Sequence, residues 1–231
     1  MQTAHASQTH TDRPLSLRRL PLPSSPKFDI VDRTHPDRAE TESYIAEKFY
    51  RCYGAQLENF MPELLALRCN SDISAAVGFR NAKNNDLFLE RYLDTPVDKQ
   101  LSKILGYRLQ RNHITEIGNL VSTWKGSSQL LFIALTELMV RRGCQWTIFT
   151  ATPEVSKLLS RLGLEQIVLC SADGQRLGAD LDRWGSYYET MPKVTAINAP
   201  LARVMLDEHP LTRDLLSLCR PLIGRALEKN S

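Results

Sequence analysis

The sequence lacks the paired cysteines that a disulfide framework or a zinc site requires. Its five cysteines are odd in number, lie far apart and never form a C-x-x-C pair: Cys52, Cys69, Cys144, Cys170 and Cys219. This usage is typical of reduced structural thiols in a cytoplasmic protein. We therefore expect a cytoplasmic protein without a metal centre.

Long hydrophobic runs are also missing. The longest apolar stretch, residues 130–140, contains Thr136 and Glu137 and is shorter than the roughly 20 residues that a membrane-spanning helix needs. Residues 1–26 are rich in Ser, Thr, His, Pro and Arg and lack the apolar core of a signal peptide. We expect them to form a disordered tail, in which Arg18 and Arg19 beside several leucines allow at most a peripheral contact with an anionic membrane surface.

An excess of one charge is absent as well. The 231 residues include 29 Lys and Arg and 26 Asp and Glu, giving a formal net charge of +3, and the two signs alternate along the chain. This pattern argues against a nucleic-acid-binding protein. The motifs G-x-x-x-x-G-K-[ST], G-x-G-x-x-G, H-E-x-x-H and G-x-S-x-G are missing too, so the usual local signatures of nucleotide hydrolysis, dinucleotide redox chemistry, zinc proteolysis and serine hydrolysis are not found.

What is present is an alternation of strand and helix patterns from residue 27 to about residue 200. A strand at 28–31 precedes a helix with Thr34 as its predicted N-cap and Gly54 as its stop. Strands at 64–68 and 73–79, separated by turn residues, predict an antiparallel hairpin. Further helices are predicted at 96–105, from Ser127 or Ser128 to Gly143, and at 153–162, and further strands at 114–121, 145–150 and 166–170. The order predicts an α/β (α+β) fold with helices on both faces of a sheet.

The predicted strand at 114–121 contains one irregularity. Gly118 and Asn119 interrupt its apolar pattern. A glycine inside a strand often marks a β-bulge, or a place where another chain segment or a ligand approaches the backbone closely. Residues 201–231 carry a separate helical pattern and are treated as a C-terminal helical extension.

Five blocks of sequence, in this order, resemble the thermostable hemolysin family: residues 87–94, 116–120, 149–152, 161–164 and 184–188. The resemblance covers about residues 27–200. It implies a GNAT-like fold related to acyl-homoserine-lactone synthases, with a mixed, mostly antiparallel sheet. In such a fold one strand splits from its neighbour, and the helix that follows receives the phosphates of an acyl thioester carrier.

The resemblance implies an acyltransferase that moves a fatty acyl group from a thioester carrier to a small-molecule amine acceptor. Acyl carrier protein and coenzyme A are both candidate carriers, and either would enter as a co-substrate and not as a tightly bound cofactor. Two alternatives stay open: a membrane-active hemolysin, as the family name implies, and a non-catalytic lipid-binding module.

The candidate carrier-binding residues lie at the end of the irregular strand and the start of the next helix: Gly118, Leu120, Trp124, Lys125, Gly126, Ser127 and Ser128. A helix start presents unpaired N–H groups to a phosphate. Thr123 stands where the acyltransferase signature has Gln or Arg, which keeps acyl carrier protein as an alternative to coenzyme A. A plain serine cap without a ligand is the other interpretation.

Three residues are candidates for the chemistry. Glu116 is the predicted base or amine-binding group, because burial in an apolar strand would raise its pKa. Asn119 and the backbone N–H groups beside it are candidate oxyanion donors. Tyr188 is the candidate acid for the leaving thiolate, on a predicted strand where Tyr187 and Tyr188 point to opposite faces. The alternatives are an ion pair for Glu116 and simple packing for the tyrosines.

The block at 87–94 is the candidate acceptor pocket. Its proposed lining residues are Phe88, Glu90, Tyr92 and Asp94, with Leu87 and Leu93 as apolar wall for an acyl chain. The alternative is a loop held together by its own salt bridges.

Overall fold

The structure, a computed structural model, describes residues 25–123 and 125–230, with the side chain of Lys125 left out. The predicted tail at 1–26 therefore lies almost wholly outside the described residues, and so does Trp124. None of the helices in the described ranges is long and apolar enough to cross a membrane.

A seven-stranded sheet forms the centre of the fold. Its strands are β1 (Pro26–Val31), β2 (Glu63–Cys69), β3 (Asp72–Asn81), β4 (Ile114–Ser122), β5 (Trp146–Ala151), β6 (Ile167–Ser171) and β7 (Lys193–Asn198). The spatial order is β1-β2-β3-β4-β5-β7-β6, and β4–β5 is the parallel pair among otherwise antiparallel neighbours. The predicted mixed, mostly antiparallel sheet and the predicted β2–β3 hairpin are confirmed.

Helices cover both faces of this sheet. They are α1 (Arg38–Tyr53), α2 (Val97–Leu105), α3 (Lys125–Arg141), α4 (Pro153–Arg161), α5 (Ala199–Glu208) and α6 (Pro210–Lys229). Helices α3 to α6 share one apolar core with strands β1 to β5. On the other face there are two apolar clusters. One contains α2 and the 3₁₀ helices Phe88–Tyr92 and Gly174–Trp184, and the other contains α1 and the 3₁₀ helix Tyr187–Thr190. The result is the three-layer arrangement that the alternating patterns predict.

Two predicted helix starts are wrong. Helix α1 begins at Arg38 and not after Thr34, because the backbone N–H and the hydroxyl of Thr34 both donate to Asp32 Oδ1, at 2.7 and 2.8 Å. These bonds make a separate turn before the helix. Helix α3 begins at Lys125, so Ser127 and Ser128 lie inside its first turn and do not cap it.

The C-terminal segment completes the main core. Buried residues on α5 and α6, among them Leu206, Leu216 and Ile223, belong to the same apolar cluster as α3 and the inner face of the sheet. Helix α6 also contacts β1 at the edge of the sheet. The predicted helical extension is thus helical, and it shields one face of the sheet from water.

Gly185 follows the 3₁₀ helix Gly174–Trp184 and lies against the C-terminal end of α1. Its φ is +52°, and an added Cβ would overlap the carbonyl oxygen of Tyr53. The same oxygen accepts the N–H of Ser186 at 2.8 Å, and the N–H of Gln56 donates to the carbonyl of Arg183 at 2.7 Å. The 3₁₀ segment is therefore held against the C-terminus of α1 at this point.

We expect Gly185→Ala to lower the free energy of unfolding by about 2 kcal/mol more than Gly163→Ala. Gly163 is the matched control, because its φ is also positive (+74°) while nothing lies within 4 Å of an added Cβ. Urea-unfolding midpoints of the two variants measure the difference. Equal losses would show that backbone strain alone, and not the overlap with Tyr53, explains the effect.

Candidate active site

The central feature of the site is a gap between two neighbouring strands. Strands β4 and β5 pair over three positions and stop at Glu116↔Ile148, although β4 continues to Ser122 and β5 to Ala151. A cavity of about 470 Å³ opens at this gap. Its size falls in the range of small-molecule sites, about 300–1,000 Å³.

A β-bulge turns β4 away from β5 where the gap begins. Gly118 lies opposite Gly78 and Val121 lies opposite Ala76, so two residues of β4 face one residue of β3. One of the two, Asn119, has φ +52°, a conformation that asparagine tolerates better than most residues. The bulge expected from the irregular strand pattern is confirmed.

Met61 closes over this bulge. Its backbone N–H donates to Asn119 Oδ1 at 2.9 Å. A Cβ added at Gly78 would lie 2.6 Å from Met61 Cβ, and one added at Gly118 would lie 2.7 Å from Met61 Cε. The close neighbour of these two glycines is therefore the Met61 side chain. Asn119 uses its side-chain oxygen to hold the segment that carries Met61.

Glu116 is buried and is the last residue of β4 that pairs with β5. Its carboxylate accepts Nη2 of Arg80 at 2.7 Å and the backbone N–H groups of Leu89 at 2.9 Å and Phe88 at 3.2 Å. Burial raises the pKa of Glu116, and the three donors oppose that rise without cancelling it. The expected burial and raised pKa are confirmed, and the alternative of an ion pair also holds, because Arg80 is its partner.

Aromatic side chains form one wall of the cavity: Phe49, Tyr53, Phe88, Trp184 and Tyr187. Their rings lie 5.2–6.4 Å apart in tilted or edge-on contacts. The hydroxyl of Tyr187 bonds to Thr150 Oγ1 at 3.1 Å, and burial raises the pKa of Tyr187 to about 12. Tyr187 is therefore protonated at neutral pH.

The position expected for Tyr188 is wrong. Tyr187 and Tyr188 lie on the 3₁₀ helix Tyr187–Thr190 and not on a strand. Tyr188 is not among the residues that line the cavity, and its hydroxyl is hydrogen-bonded to that of Tyr92. One tyrosine of the pair does reach the cavity, and it is Tyr187.

Most of the expected acceptor pocket lies away from the cavity. Phe88 lines it, whereas Glu90, Tyr92 and Asp94 do not. Glu90 pairs with Arg111 at 2.6 Å, and Asp94, whose side chain is 91% exposed, pairs with Arg176 at 2.9 Å. Leu87 and Leu93 are buried in the core beneath this segment. The arginines that occupy these carboxylates come from other parts of the chain, so the segment is held by salt bridges to distant residues and not by its own.

The start of α3 follows β4 directly. Leu120 lines the cavity, and Gly126 and Ser127 are buried in the first turn of the helix. Within the described residues, Ser127 Oγ has no hydrogen-bond partner, whereas Ser128 Oγ is bonded to Ser122 Oγ. Ser127 is fully buried and does not line the cavity, so its expected contact with a carrier is not supported by its position.

Four arginines line the cavity. Arg91 belongs to the segment 87–94 that the sequence indicates as an acceptor pocket, whereas Arg33, Arg80 and Arg183 were not expected from the sequence. Arg91 pairs with Asp180 at 2.9 Å, and Arg183 pairs with Glu58. These residues come from segments far apart in the chain. Only the packing of distant segments brings these arginines to one cavity, and no local sequence pattern predicts that they lie close together.

Residues 31–202 match the thermostable hemolysin family, and the chain belongs to that family. No curated protein matches its sequence. The fold is GNAT-like and is shared with several solved synthases at low sequence identity. Because these identities lie well below 25%, the likeness concerns the fold.

Three of these structures illustrate the likeness. TofI, in a ternary complex with an inhibitor and MTA, has a TM-score of 0.54 at 16% identity, over 80% of this chain and 99% of its own. FeeM, an N-acyl amino acid synthase from uncultured soil microbes, has 0.52 at 14%, over 78% and 95%. BjaI, a CoA-dependent acyl-homoserine lactone synthase with SAM and isopentyl-CoA, has 0.52 at 10%, over 87% and 90%.

Stability should respond to pH in opposite directions at two glutamates. The raised pKa of Glu116 means that wild type loses stability relative to Glu116→Gln as pH rises through the folded-state pKa. Burial alone would raise the pKa of Glu90, but Arg111 and the N–H groups of Val97 and Leu87 lower it. Wild type should therefore lose stability relative to Glu90→Gln as pH falls through that group's folded-state pKa.

Thermal unfolding of the three proteins between about pH 2 and pH 8 measures both trends, because the folded-state pKa of Glu90 lies below its ordinary value. The quantity to compare is the difference in Tm between wild type and each variant at every pH. If the two differences change with pH in the same direction, the assignment of a raised pKa to Glu116 is wrong.

Proposed function

We propose that this chain transfers a fatty acyl group from a thioester carrier to a small-molecule amine. The observation that carries the proposal is the gap between β4 and β5, with the buried carboxylate of Glu116 at its base and the cavity beyond it. The GNAT-like fold supports the proposal, because FeeM and BjaI are both synthases that make N-acyl compounds.

The thioester carbonyl would lie against residues 118–120. Because β4 and β5 no longer pair there, backbone groups of β4 that point toward β5 face the cavity and not a neighbouring strand. Backbone N–H groups that already point at a developing oxyanion stabilise it without reorganising. Asn119 would act by holding the bulge in shape, because Met61 occupies its side-chain oxygen.

The phosphate end of the carrier would lie at the start of α3. A 17-residue helix presents unpaired N–H groups and the positive end of its dipole there. Coenzyme A and the phosphopantetheine arm of acyl carrier protein share this phosphate chemistry, so either fits the proposal.

In the proposed reaction the amine nitrogen attacks the thioester carbon, a C–N bond forms and the C–S bond breaks. Glu116 accepts the proton that the amine loses, for which its raised pKa suits it near neutral pH. The hydroxyl of Tyr187, which is protonated at neutral pH, donates a proton to the departing thiolate. Tyr187 then regains a proton from solvent or from protonated Glu116.

The acyl chain would extend through the gap toward α3. A second cavity, of about 30 Å³, lies on that side and shares three lining residues with the main cavity: Ile117, Phe132 and Phe149. Its remaining lining is mostly apolar and includes Leu135, Met139 and Leu159. The lining is chemically suited to a fatty acyl chain, whose burial is favourable in proportion to its area. The cavity is only about the size of one water molecule, however, so the chain would have to displace the side chains that line it.

Cells that express wild type should contain an N-acylated lipid that cells expressing Glu116→Gln lack. The substitution keeps the shape of the side chain but removes the proton acceptor. Mass spectrometry of lipid extracts checks this, with Glu165→Gln as the control because Glu165 is exposed and does not line the cavity. Extracts from folded wild type that equal the empty-vector extracts would contradict the proposed function.

We expect Tyr187→Phe to lower kcat by about 100-fold, the effect typical of losing a general acid. Tyr188→Phe is the matched control, because its hydroxyl contacts Tyr92 outside the cavity and its loss should change kcat little. Steady-state kinetics of amide formation measures both variants. Equal effects of the two substitutions would remove Tyr187 from the mechanism.

A further inference from the structure

We propose that the amine acceptor is an α-amino acid, with its carboxylate bound by Arg80 and its amino group at Glu116. The inference rests on the proposed acyl transfer and specifies the second substrate. It is drawn from the unused donors of Arg80, the charge balance of the cavity wall and the contact between Arg80 and Glu116.

Arg80 has donors that the protein does not use. Its Nη2 donates to Glu116 at 2.7 Å, and its Nη1, which is not buried, has no hydrogen-bond partner within the described residues. The side chain is 25% exposed and lines the cavity. A guanidinium has five N–H donors in a fixed planar arrangement that matches the two oxygens of a carboxylate. Arg80 is therefore suited to bind a carboxylate that enters the cavity.

The charges on the cavity wall also favour one negative charge on the ligand. Four arginines line the cavity, against three carboxylates, Glu58, Glu116 and Asp180, which leaves one positive charge in excess. Arg91 and Arg183 are each paired with a carboxylate. The remaining positive charge lies on Arg33, which has no ion pair within the described residues, and on the incompletely bonded Arg80. A carboxylate group on the ligand can pair with this unpaired positive charge.

The contact between Arg80 and Glu116 matches the layout of an α-amino acid. The two residues are cross-strand partners on β3 and β4, and their charged groups touch. In an α-amino acid the amino group and the carboxylate are also close together, because both are bonded to the same carbon. Each therefore meets its complementary group when the molecule lies against this pair. A polyamine or an amino alcohol has no carboxylate to pair with Arg80.

The test compares acceptors that differ only in the carboxylate. Purified wild type is given an acyl thioester and either the common L-amino acids or the corresponding L-amino acid amides, and kcat/KM is measured for each pair. We expect the amino acid to exceed its amide by about 10- to 100-fold, the size of a charge-assisted hydrogen-bond pair. In Arg80→Gln this ratio should fall toward one.

Two further variants show whether the change in this ratio is specific to the guanidinium group of Arg80. Arg183→Gln removes another arginine of the wall, one paired with Glu58, and should leave the ratio of amino acid to amide unchanged. Arg80→Lys keeps the charge without the planar donors and should give an intermediate ratio. Because the ratio compares two acceptors on one protein, a general loss of folding does not change it.

The results separate the inference from the function on which it rests. Wild type that acylates the amides as efficiently as the amino acids overturns the inference and leaves the acyltransferase intact. Wild type that acylates neither set overturns the proposed function and the inference with it. A ratio that is unchanged in Arg80→Gln also overturns the inference, since Arg80 would then make no contact with the carboxylate.

Discussion

The separation of β4 from β5 after Glu116↔Ile148 is the constraint on which the site depends. Parallel strands normally continue to pair while both are extended, so a separation requires something to hold the strands apart. Here the bulge at Asn119 redirects β4, and Met61 packs over Gly78 and Gly118 to fix it there. The gap places a cavity within the sheet without exposing the core on the α3 side.

The buried pair of Glu116 and Arg80 sets the chemistry at the base of this gap. A carboxylate that is 2% exposed would be expensive to keep charged without partners. Arg80 and two backbone N–H groups of the 3₁₀ helix Phe88–Tyr92 supply them, so this helix serves the site through its backbone. Glu90 supports the arrangement from outside the cavity, because it pairs with Arg111 and accepts the N–H groups of Leu87 and Val97.

Features that arise from nearby residues were predictable from the sequence. The β2–β3 hairpin, the end of α1 at Gly54 and the bulge near Gly118 each follow from turn or strand chemistry within a few residues. Glu116 was identifiable for the same reason, as a carboxylate in an apolar strand beside an irregularity.

Features that depend on distant contacts were not. Thr34 resembles a helix cap, but Asp32 uses its hydroxyl. A strand pattern indicates only that Tyr187 and Tyr188 point to opposite faces, and it does not show which of them reaches the cavity; both lie on a 3₁₀ helix whose packing places Tyr187 there. Arg80 lies 36 residues from Glu116 in the chain, and only the pairing of β3 with β4 brings them together.

The most direct test of the account is a stoichiometric one. Purified protein is mixed with an acyl thioester and an amine, and free thiol and amide product are measured together over time. The account predicts that thiol and amide appear in equal amounts in wild type and that Glu116→Gln abolishes both. Thiol release without amide, or amide formation that persists unchanged in Glu116→Gln, would contradict it.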